Sequence, residues 1–124
     1  MTPLEHAGVK KWTNGNKQKS EVLLSMLRAL IKQYNDGLFS TFAKPQFKDS
    51  PDCGPKVYDI SNIWNFIVTH PKKYGIKNLT DSCFTNNTVC HNVDEYFFWD
   101  YIHVTPKVQR LFGEDIYKFV SCNF

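Results

Sequence analysis

Three amphipathic helical patterns, with almost no strand for them to cover, constrain the fold of this chain more than any other feature. The strand candidates are short: residues 57–60 are one, and residues 96–99 are extended or irregular. Three apolar stripes need a surface to cover, so we predict an α/β layer protein of which this chain is one part. The stripes recur at helical spacing: Leu23, Leu27, Leu30, Ile31 and Tyr34; Ile63, Trp64, Ile67 and Val68; Val108, Leu111, Phe112, Ile116 and Phe119.

Local residue choices predict where these helices begin and end. Ser20 is a suitable N-cap for the first helix, and Asn35-Asp36-Gly37 is expected to end it. The second helix is predicted to begin at Ser61 or Asn62 and to end before the next proline. Pro106 suits the first turn of the last helix.

The composition is that of a packed domain rather than of a nucleic-acid or membrane protein. The 124 residues include 42% hydrophobic and 15% aromatic residues, which fits one domain or a piece of one. The net charge of +3 is small and scattered, so we expect no nucleic-acid partner. No apolar run approaches the roughly 18 residues of a membrane span, and no signal peptide is visible. We divide the chain into a polar N-terminal lead-in, residues 1–19, and a folded part, residues 20–124.

The four cysteines hint at an oxidising compartment. Cys83 and Cys90 enclose a short loop that a disulfide closes easily, although two free thiols remain the alternative. Cys53 and Cys122 could form a second bridge, and sequence alone does not separate the three possible pairings. The cysteines are dispersed and lack a C-x-x-C pair, so we expect no zinc, and nothing in the sequence indicates a cofactor. An export-type cysteine pattern without an export signal suggests that an N-terminal part is missing.

Asp100 and His103 are the residues best suited to catalysis. An imidazole acts as a general base near neutral pH, and a carboxylate bonded to its other nitrogen fixes the tautomer. A turn would bring the two side chains together across their three-residue spacing. The spacing alone is a weak indication, because an aspartate before a helix often caps backbone amides while a nearby histidine lies at the surface.

Longer motifs around this pair resemble a known family. The segment from Cys90 through Tyr96-Phe97-Phe98-Trp99-Asp100 to His103-Val104-Thr105 resembles the last block of the SGNH (GDSL) lipase/acylhydrolase family, C-x-x-x-x-x-Y-x-F-W-D-x-x-H-P-T. Upstream, the stretch from His70-Pro71 through Tyr74-Gly75 to Cys83 is similar to the family's N-P-x-x-Y-G-F-x-N-V-T-x-x-C segment. The resemblance covers most of residues 20–120.

The resemblance implies a fold and an activity. The fold would be the C-terminal part of a three-layer α/β/α SGNH hydrolase, and the reaction would be ester hydrolysis through an acyl-enzyme. His103 would be the catalytic base and Asp100 its orienting carboxylate. The substrate would be an acyl ester or a lipid such as a phospholipid. The full-length relatives of such a chain are secreted or periplasmic.

The departures from the family pattern bear on activity. Val104 stands where the family usually has proline. The family's nucleophilic serine lies in a G-D-S block, and its oxyanion donors include a glycine and the asparagine of G-x-N-D; these blocks are not found here. Asn14-Gly15-Asn16, Ser50 and Ser82 are poor substitutes for them, since their context or chain order is wrong. Losing a triad member costs several powers of ten in rate, so we expect negligible activity from the isolated chain.

Three explanations remain open for such a chain. The first is a degenerate reading frame, whose product is inactive alone. The second is one chain of a split or processed esterase. The third is an isolated, non-catalytic interaction module.

Smaller features have ordinary interpretations. Phe97 and Phe98 are expected to be strand core, although an acyl pocket is the alternative. Asn78-Leu79-Thr80 and Asn86-Asn87-Thr88 are glycosylation sequons, which matter only in a eukaryotic secretory setting. His6, His70 and His91 are expected to be terminal, helix-end and exposed loop residues rather than metal ligands.

Overall fold

A computed structural model describes residues 7–44 and 56–123 and shows a mixed α/β arrangement with a small parallel sheet. Four α-helices and four strands make up the described elements, with short 3₁₀ helices at Pro71–Tyr74 and Val93–Glu95. In chain order the elements are α1 (Ala7–Trp12), α2 (Lys17–Phe42), α3 (Ser61–Thr69), β1 (Asn78–Ser82), β2 (Phe84–Thr85), β3 (Thr88–Val89), β4 (Tyr96–Phe98) and α4 (Pro106–Asn123).

The hydrophobic core lies between α3, β4 and α4. Trp64 meets the ring of Phe97 edge-on at 5.1 Å and stacks on Phe112 at 5.6 Å, which locks the two helices to the strand. Phe97 and Phe98 are fully buried in this core, so the strand-core interpretation of these two rings is confirmed. The buried members of the cluster are Ile67, Ile76, Phe97, Phe98, Val108 and Phe112.

The small sheet pairs β1 with β4 in parallel. Asn78 lies opposite Tyr96 and Ser82 opposite Phe98, so β1 bulges between its two ends. The Asn78 side chain stabilises this bulge, because its Oδ1 accepts hydrogen bonds from the amides of Thr80 and Asp81 at 3.0 and 2.8 Å. The other edge of β4 is occupied by the residues that return toward α4, through an antiparallel bridge between Phe98 and Val104.

The first predicted helix is longer at both ends than the sequence indicated. Its N-cap is Asn16 rather than Ser20: the Asn16 Oδ1 accepts from the amide of Lys19 at 3.0 Å. The helix also continues past Asn35-Asp36-Gly37. A glycine inside a helix costs about 1 kcal/mol, which a long helix tolerates, and Lys32 adds an ion pair with Asp36 one turn later. The helix therefore runs through the predicted boundary between residues 19 and 20, and α1 forms within the predicted lead-in.

The strand predicted at residues 57–60 is wrong, because this segment has no regular secondary structure. A strand needs a neighbour to complete its ladder of hydrogen bonds, and no described strand lies beside this segment. Side-chain contacts hold residues 57–60 in place instead. The Tyr58 hydroxyl donates to Asp115 of α4, and its ring packs edge-on against Phe119 at 5.2 Å. Burial and the Asp115 carboxylate both raise the pKa of Tyr58.

Three other elements were predicted correctly. The second helix begins at Ser61 and ends before Pro71, and Pro106 opens the last helix, as expected. Residues 96–98 are extended, which confirms the second strand candidate. Residues 71–94, for which no strand was predicted, contain β1 and a short hairpin of β2 and β3.

Helix α2 presents one row of apolar residues to solvent, while Leu23, Leu27 and Ile31 are half-buried. It has no buried residue, and Val22, Met26, Leu30 and Tyr34, spaced by one helical turn, are each at least 59% exposed. A row of this kind on a stable helix is unusual for a self-contained domain. Within the described parts of the chain, no helix is long and apolar enough to span a membrane.

Candidate active site

The Asp100–His103 pair lies in a tight turn between β4 and α4. The turn is closed at its base by two backbone hydrogen bonds, from Trp99 N to His103 O at 2.8 Å and from Thr105 N to Phe97 O at 3.0 Å. The buried Thr105 hydroxyl donates to Tyr96 O at 2.9 Å, which adds a third anchor. The turn thus projects from the carboxyl end of the parallel pair, the edge at which α/β sheets commonly bind their ligands.

Both carboxylate oxygens of Asp100 are used to shape this turn. Oδ1 accepts from the amides of Ile102 and His103 at 2.7 and 2.6 Å, and Oδ2 lies 2.8 Å from the His103 Nδ1 atom. Partial burial raises the pKa of Asp100, but the hydrogen bonds from the backbone and ring of His103 and from the Ile102 amide outweigh it. They hold the pKa of this carboxyl below its usual value. Asp100 is therefore both a cap for backbone amides and a partner for the imidazole.

The ring of His103 is held on one side and open on the other. Because Asp100 is ionised near neutral pH, its Oδ2 accepts, so Nδ1 of the neutral ring carries the proton. Nε2 then has a lone pair, and no described residue hydrogen-bonds to it. The His103 side chain is 67% exposed while that of Asp100 is 24% exposed. This is the tautomer and orientation that a general base requires.

A disulfide-closed hairpin supports the turn from the side. Cys83 and Cys90 form the disulfide expected from the sequence, with their Cα atoms 4.8 Å apart. Asn86 and Asn87 have φ of +50° and +58°, the left-handed conformation that a two-residue hairpin turn needs. The hairpin is fixed to the turn because Cys83 N donates to Phe98 O at 3.0 Å.

An aromatic stack joins the hairpin to the residue that precedes Asp100. Phe84 and Trp99 lie face to face, with centroids 5.6 Å apart and planes 5° apart, and Phe84 N donates to Trp99 O at 2.6 Å. This contact was not predicted from the sequence. The Asn86-Asn87 pair could have revealed the hairpin, since asparagines tolerate positive φ, but nothing in the sequence indicated that its first residue would meet Trp99.

A cleft of about 480 Å³ opens beside Asp100, between α1, β1 and the hairpin, and His103 does not line it. Asp100 and Tyr101 line its wall, and Lys11 reaches across from α1 to place its ammonium 3.7 Å from the centre of the Tyr101 ring. The volume lies within the range of small-molecule sites. The remaining lining residues are Phe84, which is apolar, and six polar residues: Thr80, Asp81, Ser82, Thr85, Asn86 and Asn87.

The serines and asparagines whose sequence context makes them poor substitutes for the family's nucleophile and oxyanion blocks do not complete a triad in the described residues. Ser82 is the last residue of β1 and lines the cleft. None of the described serines hydrogen-bonds to His103. Ser50 lies outside the described residues. Asn14-Gly15-Asn16 forms the turn between α1 and α2, where Asn16 serves as a helix cap.

The remaining cysteines and histidines form no further site in the described chain. Cys122 is an exposed free thiol in α4, and Cys53, its suggested partner, lies outside the described residues. His91 is exposed, and His70 ends α3 with its ring against Phe66. His6 also falls outside the described residues. In residues 7–44 and 56–123, no three acidic, histidine or cysteine side chains are grouped to hold a metal ion.

Two proteins of Arabidopsis thaliana are similar to this chain. GDSL esterase/lipase 6 is 27% identical over 75 residues, covering 50% of this chain and 20% of that protein. GDSL esterase/lipase At1g74460 is 28% identical over 102 residues, covering 72% of this chain and 27% of that protein. No family model matches the chain. The similarity supports a resemblance to the GDSL esterase/lipases, a family of hydrolases, and the chain spans about a quarter of the length of the curated relatives it matches.

Proposed function

We propose that this chain supplies the acid–base half of an SGNH-type ester hydrolase, with His103 as general base and Asp100 as its orienting carboxylate. The observation that carries the proposal is the Asp100–His103 geometry: a 2.8 Å contact to Nδ1 leaves Nε2 open to solvent at the carboxyl edge of the sheet. In the reaction, Nε2 would take the proton of a serine hydroxyl as it attacks the ester carbonyl, and would return it to the leaving alcohol.

The nucleophile has to come from another segment. A serine and oxyanion donors are needed for acyl transfer, and one oxyanion donor alone contributes about 3–4 kcal/mol of transition-state stabilisation. We therefore propose that the isolated chain is inactive and that an N-terminal segment carrying the Ser, Gly and Asn blocks completes it. The exposed apolar row of α2 fits this proposal, since a larger α/β/α domain would cover it.

The two-stranded sheet fits the same proposal. Parallel strands are normally buried on both faces by helices, whereas in β1 Thr80 and Asp81 are exposed and no residue is buried. The short, half-covered pair of β1 and β4 resembles the edge of a larger parallel sheet. The segment at residues 57–60 would gain the ladder partner that a strand requires in such a sheet.

The substrate and compartment follow from the same features. We propose an acyl ester or lipid substrate, bound in or beside the cleft of about 480 Å³ next to Asp100. The disulfide between Cys83 and Cys90 indicates an oxidising compartment, so we place the completed enzyme in the secretory pathway or periplasm.

A chimera tests the proposal. This chain would replace the matching 27% of the Arabidopsis At1g74460 protein, and hydrolysis of a short-chain nitrophenyl ester would be measured. We expect activity in the chimera and none in the isolated chain. His103→Ala should reduce the chimera's kcat by about three or more powers of ten. His91→Ala, which removes an exposed imidazole from the same region, is the matched control and should leave kcat unchanged. A kcat of the His103→Ala chimera equal to that of the unsubstituted chimera would disprove the assignment of His103 as general base.

An interaction module remains the second candidate, favoured by the exposed α2 row alone. It differs from the first in one measurable respect. An interaction module would bind its partner through α2 with no dependence on Asp100 or His103, and the chimera would have no esterase activity.

A further inference from the structure

The two sequons of the chain lie close together but in very different surroundings. Asn78 begins β1 and Asn86 lies at the tip of the hairpin, each followed two residues later by a threonine. N-glycosylation needs an accessible asparagine with a free side-chain amide, on a surface that tolerates a bulky sugar. The structure allows the two sites to be compared on these requirements.

Asn78 fails both requirements. Its Oδ1 accepts from the amides of Thr80 and Asp81, and its Nδ2 donates to the Asp81 carboxylate at 3.0 Å. The residue is half-buried and lies opposite Tyr96 in the parallel pair. A sugar on Nδ2 would have to displace the Asp81 contact and would crowd the bulge that Asn78 itself stabilises.

Asn86 is accessible and its side-chain amide is free; it also lines the cleft proposed for the substrate, so a glycan there would stand beside that cleft. It is the first turn residue of the hairpin, is exposed, and holds a φ of +50° that asparagine tolerates. No described residue hydrogen-bonds to its side chain, so Nδ2 is free to react. The Thr88 hydroxyl donates to the Asn86 carbonyl at 3.4 Å, which brings the second sequon residue back toward the first. The disulfide between Cys83 and Cys90 fixes this presentation.

We propose that Asn86 is an N-glycosylation site of this protein and that Asn78 is not. The proposal rests on the secretory location included in the proposed function. In the reaction, the Asn86 Nδ2 attacks C1 of the sugar in a lipid-diphosphate-linked oligosaccharide. A C–N bond forms, the bond from C1 to the diphosphate oxygen breaks, the amide loses one proton, and the lipid diphosphate leaves.

The test is site occupancy in the full chain. The chain would be preceded by a cleavable secretion signal, expressed in yeast, and recovered from the secretory pathway. Release of the glycan by an amidase in heavy-oxygen water converts the modified asparagine to a labelled aspartate, which peptide mass spectrometry locates. We expect label at Asn86 and none at Asn78. Label at Asn78, or an unlabelled Asn86, would overturn the proposal.

Substitutions that leave both asparagines in place sharpen the result. Thr88→Ala should remove the glycan completely and Thr88→Ser should retain it. Thr80→Ala, which destroys the other sequon while keeping the Asn78 side chain, should leave the glycan at Asn86 unchanged. Retention of the glycan in Thr88→Ala would contradict the assignment. His103→Ala should carry the same glycan, so occupancy is read separately from esterase activity, and either proposal can fail while the other stands.

Discussion

Asp100 binds His103 through both of its carboxylate oxygens: Oδ1 accepts the His103 backbone amide at 2.6 Å while Oδ2 lies 2.8 Å from the ring Nδ1. The contact to the backbone amide is the one that a capping aspartate makes, and the contact to the ring is the one that a triad carboxylate makes. One side chain therefore serves local structure and candidate chemistry together. The two interpretations of the D-x-x-H spacing do not exclude each other.

The pH dependence of stability should report this arrangement. The pKa of Asp100 is lowered in the folded state, so its contribution to stability is fully present above the unfolded value of about 4 and is lost as the pH falls through the lower folded value. We expect Asp100→Asn to be less stable than wild type at pH 7, with the difference shrinking below about pH 4. Urea titrations at a series of pH values measure it. A difference that stays constant down to pH 2 would contradict the ionised pair.

The disulfide should hold the hairpin against the turn. The bridge closes a loop with a sequence separation of only 7, for which chain entropy predicts a stabilisation of about 2–3 kcal/mol. The double substitution Cys83→Ala/Cys90→Ala should lower the free energy of unfolding by about that amount. Cys122→Ala, at an exposed free thiol, is the control and should change it by less than about 0.5 kcal/mol. Equal stability of the two variants would show that the bridge is not formed in solution.

The Phe84–Trp99 stack should be visible in fluorescence. The rings lie nearly parallel at 5.6 Å, a contact worth about 0.5–1.5 kcal/mol beyond burial. Phe84→Leu should shift the emission of Trp99 to longer wavelength and weaken the turn. A Trp12→Phe background removes a half-exposed indole, so that only Trp64 and Trp99 contribute to the spectrum. If the emission is unchanged, the stack does not persist in solution.

Some of this site could be predicted from sequence and some could not, for physical reasons. Asp100 and His103 are three residues apart, so a single turn determines their contact, and local pattern sufficed. The cap at Asn16 was missed because Ser20 is an equally good capping residue when only propensity is considered. The prediction of a strand at residues 57–60 was wrong because β structure depends on a partner strand, and the segment itself does not contain that information. The contact of Phe84 with Trp99 is non-local in the same way.

Valine at position 104, where the GDSL family usually has proline, should have little effect on stability. The antiparallel bridge at this position uses the amides of Trp99 and Thr105, not that of Val104, so a proline here removes no hydrogen bond of the bridge. We expect Val104→Pro to change the melting temperature by only a few degrees. Thr105→Pro is the matched contrast, because it deletes the bonds from Thr105 to Phe97 O and Tyr96 O. A variant at Val104 that unfolds as readily as the one at Thr105 would disprove the argument.

The exposed row of α2 should contribute nothing to the stability of the isolated chain and much to that of a completed domain. Ile67 is fully buried and Met26 is 61% exposed. In the isolated chain, Ile67→Ala should cost about 2–5 kcal/mol and Met26→Ala less than about 0.5 kcal/mol. In the chimera with the Arabidopsis protein, we expect Ile67→Ala to cost the same and Met26→Ala to cost more than about 1 kcal/mol, because the missing layers would bury it. Denaturant unfolding of the four variants and their two parent proteins measures the four differences. A Met26→Ala cost that stays near zero in an active chimera would show that α2 lies outside the completed core.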